Sequence, residues 1–298
     1  MALADFIPSI WSARFTSKLY AARVWGSLTN RNYQGSLSAG GNTVKIPTSS
    51  TSIAVGDYTS GTAITAAPDQ ADGDTEDLVV NQQKFFRFLV DDIQEFQTQP
   101  GLMDDAMRES AEQVAIVQDN FLKNFYGTNY AAGRSVEIPG AMHGESEGFA
   151  VALINAFIDS KKALTNLNIS MSNRWAVVSP TVIAALDKHF TVDGNDGSYT
   201  PATSDAAVVN GFGGVLLGFR LLVTTNVVME DVSSKASERI VLGQGNSHVT
   251  MAEQIRSLEV TRPDDMFADL VKGLYVYGAK MIDPYAPRLR YIQYQIGA

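Results

Sequence analysis

The sequence predicts an α+β protein in which strands and helices are segregated along the chain. One long amphipathic pattern indicates a dominant helix over residues 102–126, and the final third of the chain is a succession of strand-like segments. Elements that do not alternate strictly favour α+β over a doubly wound parallel sheet. The 298 residues, of which 45% are hydrophobic and 18% charged, suffice for a large buried core.

The composition argues against several classes of function. With 32 acidic and 23 basic residues the net charge is −9, whereas proteins that hold nucleic acid by its phosphates need a basic face. Cysteine is absent, and the three histidines, His143, His189 and His248, have no metal-ligand spacing, so no disulfide or metal site is expected. The most apolar stretch, 206–228, is broken by glycines, asparagines and Arg220, so no membrane span is expected.

Residues 1–35 differ in charge from the rest of the chain. One acidic residue, Asp5, stands against four basic ones. These four are Arg14, Lys18, Arg23 and Arg31. A basic segment on an acidic protein indicates an arm that lies on an acidic neighbour, such as another copy of the chain, and the alternative is an amphipathic helix packed on its own domain.

Residues 36–77 predict a long two-stranded excursion with little core of its own. Gly, Ser and Thr surround two strand-like pieces, Asn42–Pro47 and Thr62–Thr65, and Lys45 is the one lysine of the segment. The acidic residues near its end are Asp69, Asp72, Asp74, Glu76 and Asp77. Long excursions of this kind are usually functional or disordered.

The central part of the chain predicts a strand followed by the dominant helix. Alternating residues over 78–90 predict one strand, and Pro100-Gly101 precedes the helix of 102–126. Gly127 is expected to end this helix as its C′ residue. The apolar positions that recur every three or four residues are Met103, Ala106, Ser110, Val114, Val117, Phe121 and Phe125.

The remaining elements are shorter. A helix is predicted over 149–164, a buried strand over Arg174–Val178, and a helix that starts at Ser179-Pro180 and ends near His189. Phe212–Val223 is a strand-like segment that contains glycines. Further strands are predicted over 239–242, 248–252, 256–262, 270–282 and 289–296.

One motif suggests a hydrolase. Gly144–Gly148 matches G-x-S-x-G, which would make Ser146 a nucleophile. A nucleophile elbow requires a preceding strand, however, and residues 138–143 form a poor one. Two glutamates beside Ser146 would also oppose an oxyanion, so a polar loop before a helix is the favoured interpretation.

Other site motifs are incomplete. The glycine pairs at 211–213 and 243–245 lack the third glycine of a nucleotide-binding loop. The acidic runs at 72–77 and 193–197 lack the full ligand set of a calcium loop. The sequence therefore predicts no catalytic residue, no cofactor-binding residue and no metal ligand, and an enzyme is not expected.

Three segments, and above all the order of the elements, carry a resemblance to a known family. These segments are Trp175–Thr181, Gly218–Asn226 and Tyr277–Pro284. The chain resembles the major capsid proteins of tailed bacteriophages, which have the Hong Kong ninety-seven-type capsid fold. The resemblance assigns an N-arm to 1–35, an extended E-loop hairpin to 36–77, a P-domain to 78–148 with its spine helix at 102–126, an A-domain to 149–245, and closing P-domain strands to 246–298.

The resemblance implies a structural function. Subunits would form hexamers and pentamers of an icosahedral shell, as a procapsid that expands while double-stranded DNA is packaged without sequence-specific binding. It implies a location in the virion capsid, assembly in the host bacterial cytoplasm, and a portal as partner. Because no long charged segment precedes the N-arm, a separate scaffolding protein is also expected.

The expected contacts between subunits follow from charge. The four basic residues of the arm would lie against acidic surface, with the acidic run at 69–77 as a candidate partner. The residues expected at such contacts are Arg14, Lys18, Arg23, Arg31, Lys45, Asp72, Asp74 and Glu76. Two alternatives remain, an encapsulin-like compartment of the same fold and, more distantly, the serine hydrolase.

Overall fold

The computed structural model describes most of the chain from residue 24 onward. The described residues are 24–33, 42–49, 55, 57, 60–61, 73–91, 102–129, 132–138, 147–189, 199–200, 212–232 and 235–295. They contain three α-helices and thirteen strands, and the strands form three sheets.

The elements are labelled in chain order. The helices are α1 (Leu102–Thr128), α2 (Glu147–Asn166) and α3 (Pro180–Asp187). The strands are β1 (Thr43–Ser49), β2 (Gly73–Val79), β3 (Gln82–Asp91), β4 (Ser135–Glu137), β5 (Arg174–Val178), β6 (Tyr199–Thr200), β7 (Phe212–Leu216), β8 (Phe219–Val223), β9 (Val228–Val232), β10 (Lys235–Gln244), β11 (Val249–Thr261), β12 (Ala268–Met281) and β13 (Arg290–Gln295).

Helix α1 packs on a sheet of three long antiparallel strands in the order β11-β12-β3. At 1.5 Å per residue the 27-residue helix is about 40 Å long, which is comparable with the length of the 14-residue strand β12 at about 3.3 Å per residue. The ring of Phe121 on α1 meets the ring of Tyr277 on β12 edge-on, with 5.0 Å between centroids. Strand β11, predicted as two strands, is continuous, with a register shift between Ile255 and Ser257.

The buried face of α1 differs from the predicted one by one residue. Its fully buried residues follow a spacing of three or four. They are Met107, Ala111, Ala115, Gln118, Leu122 and Tyr126. The predicted stripe through Phe121 and Phe125 lies beside this row and is half-buried. Two alanines and a buried glutamine make the true contact row less hydrophobic than its neighbour, which explains the error.

The second sheet combines strands from distant parts of the chain. Its order is β4-β13-β10-β5-β8-β7-β6, and β9 pairs with the first half of β10. Strands β5 and β8 are parallel, as are β4 and β13. The helices α2 and α3 cover one face of this sheet in a core that includes Phe157, Leu186 and Ile240. The other face joins the core under α1, through residues such as Trp175 and Tyr291.

The two larger sheets are interleaved in sequence. Segment 78–148 contributes β3 to the three-stranded sheet and β4 to the larger one. Segment 246–298 likewise contributes β11 and β12 to the three-stranded sheet, while β13 pairs with β10. The domain names that the resemblance assigned to these segments remain predictions, and the final segment is divided between two sheets.

Strands β1 and β2 form an antiparallel hairpin, with Thr43 opposite Val79 and Ser49 opposite Gly73. The predicted single strand over 78–90 is wrong, because β2 ends at Val79 and β3 begins at Gln82. The root of the hairpin, at Val44, Ile46 and Leu78, packs in a small separate core against Ala252 and Ile282 of the body of the subunit. The predicted strand at 62–65 lies outside the described residues.

The predicted helix end at Gly127 and the predicted single strand-like segment at Phe212–Val223 both differ from the structure. Gly127 lies inside α1 rather than at C′, and a Cβ there would be 2.9 Å from Val228 on β9, so the helix passes close to that strand. Phe212–Val223 is a hairpin of β7 and β8 rather than one segment. Leu217 and Gly218 both have positive φ, of 51° and 90°, as a two-residue hairpin turn requires.

The start of α3 is confirmed, with Ser179 as N-cap and Pro180 as first helical residue. The Ser179 hydroxyl does not cap the helix but lies 3.2 Å from the Tyr294 hydroxyl. No helix in the described part of the chain is long and apolar enough to cross a membrane.

Candidate functional site

The segment 24–33, called here the anchored segment, is bound to both larger sheets. Trp25 is fully buried, and its indole Nε1–H donates to the backbone oxygen of Asn226 at 2.9 Å. Its backbone N–H donates to Oδ1 of Asp119 on α1 at 3.1 Å. The Asn226 turn follows β8, so one tryptophan contacts α1 and the larger sheet together.

Further along, the anchored segment pairs with the three-stranded sheet through its main chain. Asn30 N–H donates to the oxygen of Val249 at 2.8 Å, and Met251 N–H donates to the oxygen of Asn30 at 2.9 Å. These two bonds form a parallel bridge between Asn30 and Thr250. The segment therefore lies along the edge of β11 before the chain continues towards the hairpin.

Arg31 binds its own chain. Its guanidinium NH1 is 2.9 Å from Oε1 of Glu253 on β11, and the Glu253 side chain is almost fully buried. The sequence predicted Arg31 at a contact between subunits, and within one subunit the structure places it in this ion pair. Arg14, Lys18 and Arg23, predicted with it, lie outside the described residues.

The hairpin residues expected at contacts differ in exposure. Lys45 and Asp74 are exposed, and Lys45 lies opposite Asp77 in the strand register. Glu76 faces the body of the same chain, because its Oε1 accepts the N–H of Asp283 at 3.2 Å. Asp72 lies outside the described residues.

The outer face of the three-stranded sheet exposes large apolar side chains. Phe85 on β3 is 75% exposed and lies directly opposite the exposed Leu274 on β12. Leu89, four positions after Phe85 on the same face of β3, is also exposed. Phe267, at the turn between β11 and β12, is 81% exposed. Phe85 and Leu274 thus form an exposed apolar pair on this face, and the pair Arg87 and Lys272 separates it from Leu89.

A buried histidine lies where α1 meets both larger sheets. The Nε2 atom of His248 is 3.2 Å from the Tyr126 hydroxyl, and its ring centroid is 5.4 Å from that of Trp175. Burial, with a smaller contribution from the nearby positive charge of Arg288, lowers the pKa of His248 to about 3. At neutral pH this histidine is therefore an uncharged core residue.

A second buried titratable group lies in the larger sheet. Glu238 on β10 is directly opposite Tyr294 on β13. Burial raises the pKa of Glu238, and hydrogen bonds from the hydroxyls of Ser179 and Tyr294 partly offset this effect.

The part of the chain that the structure describes contains no group of three or more His, Cys, Asp or Glu side chains that would hold a metal ion. Ser146 lies outside the described residues, directly before α2, so the structure does not test the hydrolase alternative.

The comparison with protein families identifies the chain. A model described as phage capsid protein matches residues 75–286, which is more than two thirds of the sequence. The chain belongs to the phage capsid protein family. A search of curated proteins gives no match.

Solved structures agree with this family. A chain from Mycobacterium phage Che8 is similar at 25% identity, with a TM-score of 0.61 over 91% of this chain and 90% of that one. The capsid structure of cyanophage P-SCSP1u is similar at 12% identity, with a TM-score of 0.66 over 93% and 89%. The holo-SrpI encapsulin complex from Synechococcus elongatus PCC 7942 has 12% identity and a TM-score of 0.53 over 74% and 76%.

The family confirms the central expectations from sequence. The α+β fold is the phage capsid fold of Hong Kong ninety-seven type, and the chain is a shell-forming capsid protein of the virion. The resemblance to tailed-phage major capsid proteins is likewise confirmed. Sequence reasoning missed Trp25 and Glu253, whose partners are remote in the chain. The acceptor of the Trp25 indole is a backbone oxygen, so the residue type at position 226 gives no signal of this contact.

Proposed function

We propose that this capsid protein assembles into hexamers and pentamers of an icosahedral shell, formed as a procapsid that expands around packaged double-stranded DNA. The observation that supports this most directly is the agreement of fold with capsid chains over more than nine-tenths of the sequence. The exposed Phe85 and Phe267 add to it, because such side chains are stabilised when neighbouring subunits cover them.

The division of the chain into domains is part of the proposal. The N-arm, the E-loop hairpin, the P-domain with its spine helix and the A-domain are assigned as the resemblance implies. The hairpin supports this assignment, because its root packs on the body while its far end, at Gly73 and Asp74, is exposed. An exposed end of this kind is suited to contact with a neighbour.

The proposed partners follow from charge and from the family. A net charge of −9 is compatible with a shell that encloses DNA without binding its phosphates through basic residues, the kind of binding that counterion release drives. A separate scaffolding protein and a portal, with assembly in the bacterial cytoplasm, complete the proposal.

Electron microscopy of the purified chain, alone and with any scaffolding protein encoded beside its gene, tests the proposal. We expect closed shells, or capsomer-sized rings that close when the scaffolding protein is added. A protein that stays monomeric at every concentration and salt tested, with or without scaffolding protein, would contradict the proposal.

The encapsulin alternative has one observation in its favour, the similarity to the SrpI complex. It differs in what the shell encloses. Nuclease-protected double-stranded DNA in shells purified from infected cells would support the genome-containing capsid, and a protein cargo without DNA would support the compartment.

Charge reversal in the arm tests the proposed contacts between subunits. The triple variant Arg14→Glu, Lys18→Glu, Arg23→Glu should raise the subunit concentration needed for assembly several-fold, because each exposed ion pair contributes about 0.2–1 kcal/mol. The salt dependence of assembly should weaken as well. Light scattering during assembly at several salt concentrations measures both effects.

The matched control for charge reversal is Lys162→Glu on α2, an exposed position outside the arm. It should assemble as the wild type does. Adding Asp74→Lys to the arm variant should restore part of the assembly if the acidic limb of the hairpin is the partner. An arm variant with unchanged assembly and unchanged salt dependence would refute this contact.

A further inference from the structure

Glu253 is a buried carboxylate with partners from three separate parts of the chain. Its side chain is 4% exposed and lies on β11. Arg31 of the anchored segment donates to Oε1 at 2.9 Å. The amide of Gln118 on α1 and the hydroxyl of Tyr275 on β12 both donate to Oε2.

The partners of Glu253 also contact one another. The Gln118 amide nitrogen is 2.6 Å from the Tyr275 hydroxyl, and it lies 3.5 Å from the sulfur of Met251. Gln118 is fully buried in the middle of the contact row of α1, and Tyr275 is 1% exposed. The helix and the sheet are therefore joined at this point by a polar cluster within an otherwise apolar interface.

The free-energy cost of burying the Glu253 carboxylate indicates the role of Arg31. A buried carboxylate is costly unless it is hydrogen-bonded and paired with a positive charge. Gln118 and Tyr275 supply neutral donors from the rigid core, whereas Arg31 supplies the charge from the anchored segment. The ion pair is thus strongest when residue 31 is held in the observed place on β11.

Arg31 lies at a point in the chain from which its contact with Glu253 can affect the segments on both sides. It directly follows Asn30, whose main-chain bridge to β11 fixes the segment at one point. The first 23 residues of the basic arm precede the anchored segment, and the hairpin follows it from Thr43. Arg31 therefore lies between the two extensions proposed to reach neighbouring subunits, and its side chain fixes the chain at a second point.

We propose that Glu253 is a positioning residue for assembly, which acts through Arg31 to fix the direction in which the chain leaves the body on either side of the anchored segment. The part of this inference that concerns assembly rests on the proposed function. The part that concerns the anchored segment does not, and it can be measured on the unassembled subunit.

The experiment compares Glu253→Gln with the wild type by hydrogen exchange of the purified subunit. Glutamine keeps the shape of the side chain and removes its charge. We expect at least a tenfold increase in amide exchange within residues 24–33, including the bridge amide of Asn30, with little change in α2. In the same preparations we expect a several-fold lower yield of closed shells.

Three further variants distinguish positioning from simple stabilisation. Arg31→Met, at a partly exposed side chain, removes the positive charge of the pair and should reproduce both effects. Arg31→Lys should restore most of the protection and most of the shell yield. Because the pair acts as a unit, Arg31→Met with Glu253→Gln should be no worse than either single variant.

The matched control is Glu259→Gln on the same strand, β11. Glu259 pairs with Lys272 at 2.9 Å, but their side chains are 53% and 50% exposed. This variant should leave both exchange and assembly unchanged, since exposed pairs contribute little.

Three outcomes would overturn the inference. Unchanged exchange in 24–33 for both Glu253→Gln and Arg31→Met would show that the pair does not hold the segment. Equal increases across α1, β12 and the segment would show a general stabilising role. Increased exchange with shells of wild-type yield and diameter would remove the link to assembly. A wild-type chain that forms no shells would instead refute the proposed function and leave the exchange result standing.

Discussion

Replacement of Gly278 by alanine is expected to destabilise the folded subunit by about 3 kcal/mol or more, the upper end of the range for overpacking a core. A Cβ at this position would be 2.4 Å from the backbone oxygen of Val79 and 2.9 Å from Cα of Val80. Real Cβ atoms do not approach backbone atoms so closely, so β12 or the join between β2 and β3 has to move.

The consequences of that movement extend to the root of the hairpin. Val80 N–H donates to the oxygen of Asn42 at 2.7 Å, and this bond continues the ladder between β1 and β2. A shift at Val79 and Val80 therefore disturbs both the hairpin and the pairing of β12 with its neighbours. We expect a lower melting temperature together with faster proteolysis within residues 42–79.

Two other glycines provide a graded control for Gly278→Ala. At Gly133 a Cβ would meet nothing within 4 Å, so Gly133→Ala should change stability by less than about 0.5 kcal/mol. At Gly273 on β12 a Cβ would meet the ring of Phe86, a side chain that can move, so Gly273→Ala should lie between the two. A Gly278→Ala subunit as stable as Gly133→Ala would contradict the proposed close crossing.

Elements set by interactions between residues close in sequence were predictable, and those set by contacts between distant parts of the chain were not. Helix α1 was predictable because its pattern repeats locally over many turns, and the start of α3 was predictable because Ser179 and Pro180 are adjacent. The break between β2 and β3 was not predictable, because the alternation of side chains continues through Val80 and the close approach of Val79 and Val80 to Gly278 is a contact with a distant strand.

The candidate site followed much less from the sequence than the fold did. Trp25 and Asn226 are 201 residues apart, and Arg31 and Glu253 are 222 residues apart, so no local pattern connects either pair. Charge asymmetry correctly drew attention to Arg31 but suggested a partner outside the subunit. A glutamate within a strand of the core has no sequence signal that separates it from an exposed one.

The contact row of α1 and the ion pair of Arg31 concern the same interface. The contact row of α1 was displaced by one residue because Gln118 belongs to it, and Gln118 is buried because Glu253 and Tyr275 require a donor and a partner there. The hydrophobic pattern of a helix identifies its apolar side, and a polar cluster within that side shifts the actual contact. In this subunit the shift coincides with the place where the anchored segment attaches.

Acidification is expected to destabilise the unassembled subunit through His248. In the unfolded chain this histidine takes up a proton near pH 6.5, while burial in the folded subunit lowers its pKa to about 3. The folded state therefore gains stability from the neutral histidine above pH 6.5 and loses it as the pH falls towards 3. By pH 5 the loss is about 2 kcal/mol, at 1.36 kcal/mol per unit of pKa difference.

The measurement is the free energy of unfolding in urea at pH 7 and at pH 5, for the wild type and for His248→Gln. Glu238 works in the opposite sense, because burial raises its pKa and its contribution is lost as the pH rises. The difference between wild type and variant cancels that contribution. We expect the wild type to lose about 2 kcal/mol more than the variant between the two pH values.

Tyr126→Phe is the matched control for the histidine. It removes the hydroxyl that lies 3.2 Å from Nε2 but leaves the buried ring and the histidine in place, so the pH dependence should persist even if stability is lower at both pH values. Equal pH dependence in the wild type and in His248→Gln would show that His248 is protonated in the folded subunit at pH 5. In that case the junction of α1 with the two larger sheets would have to admit a charge beside Arg288, which the tight aromatic packing of Tyr126 and Trp175 opposes.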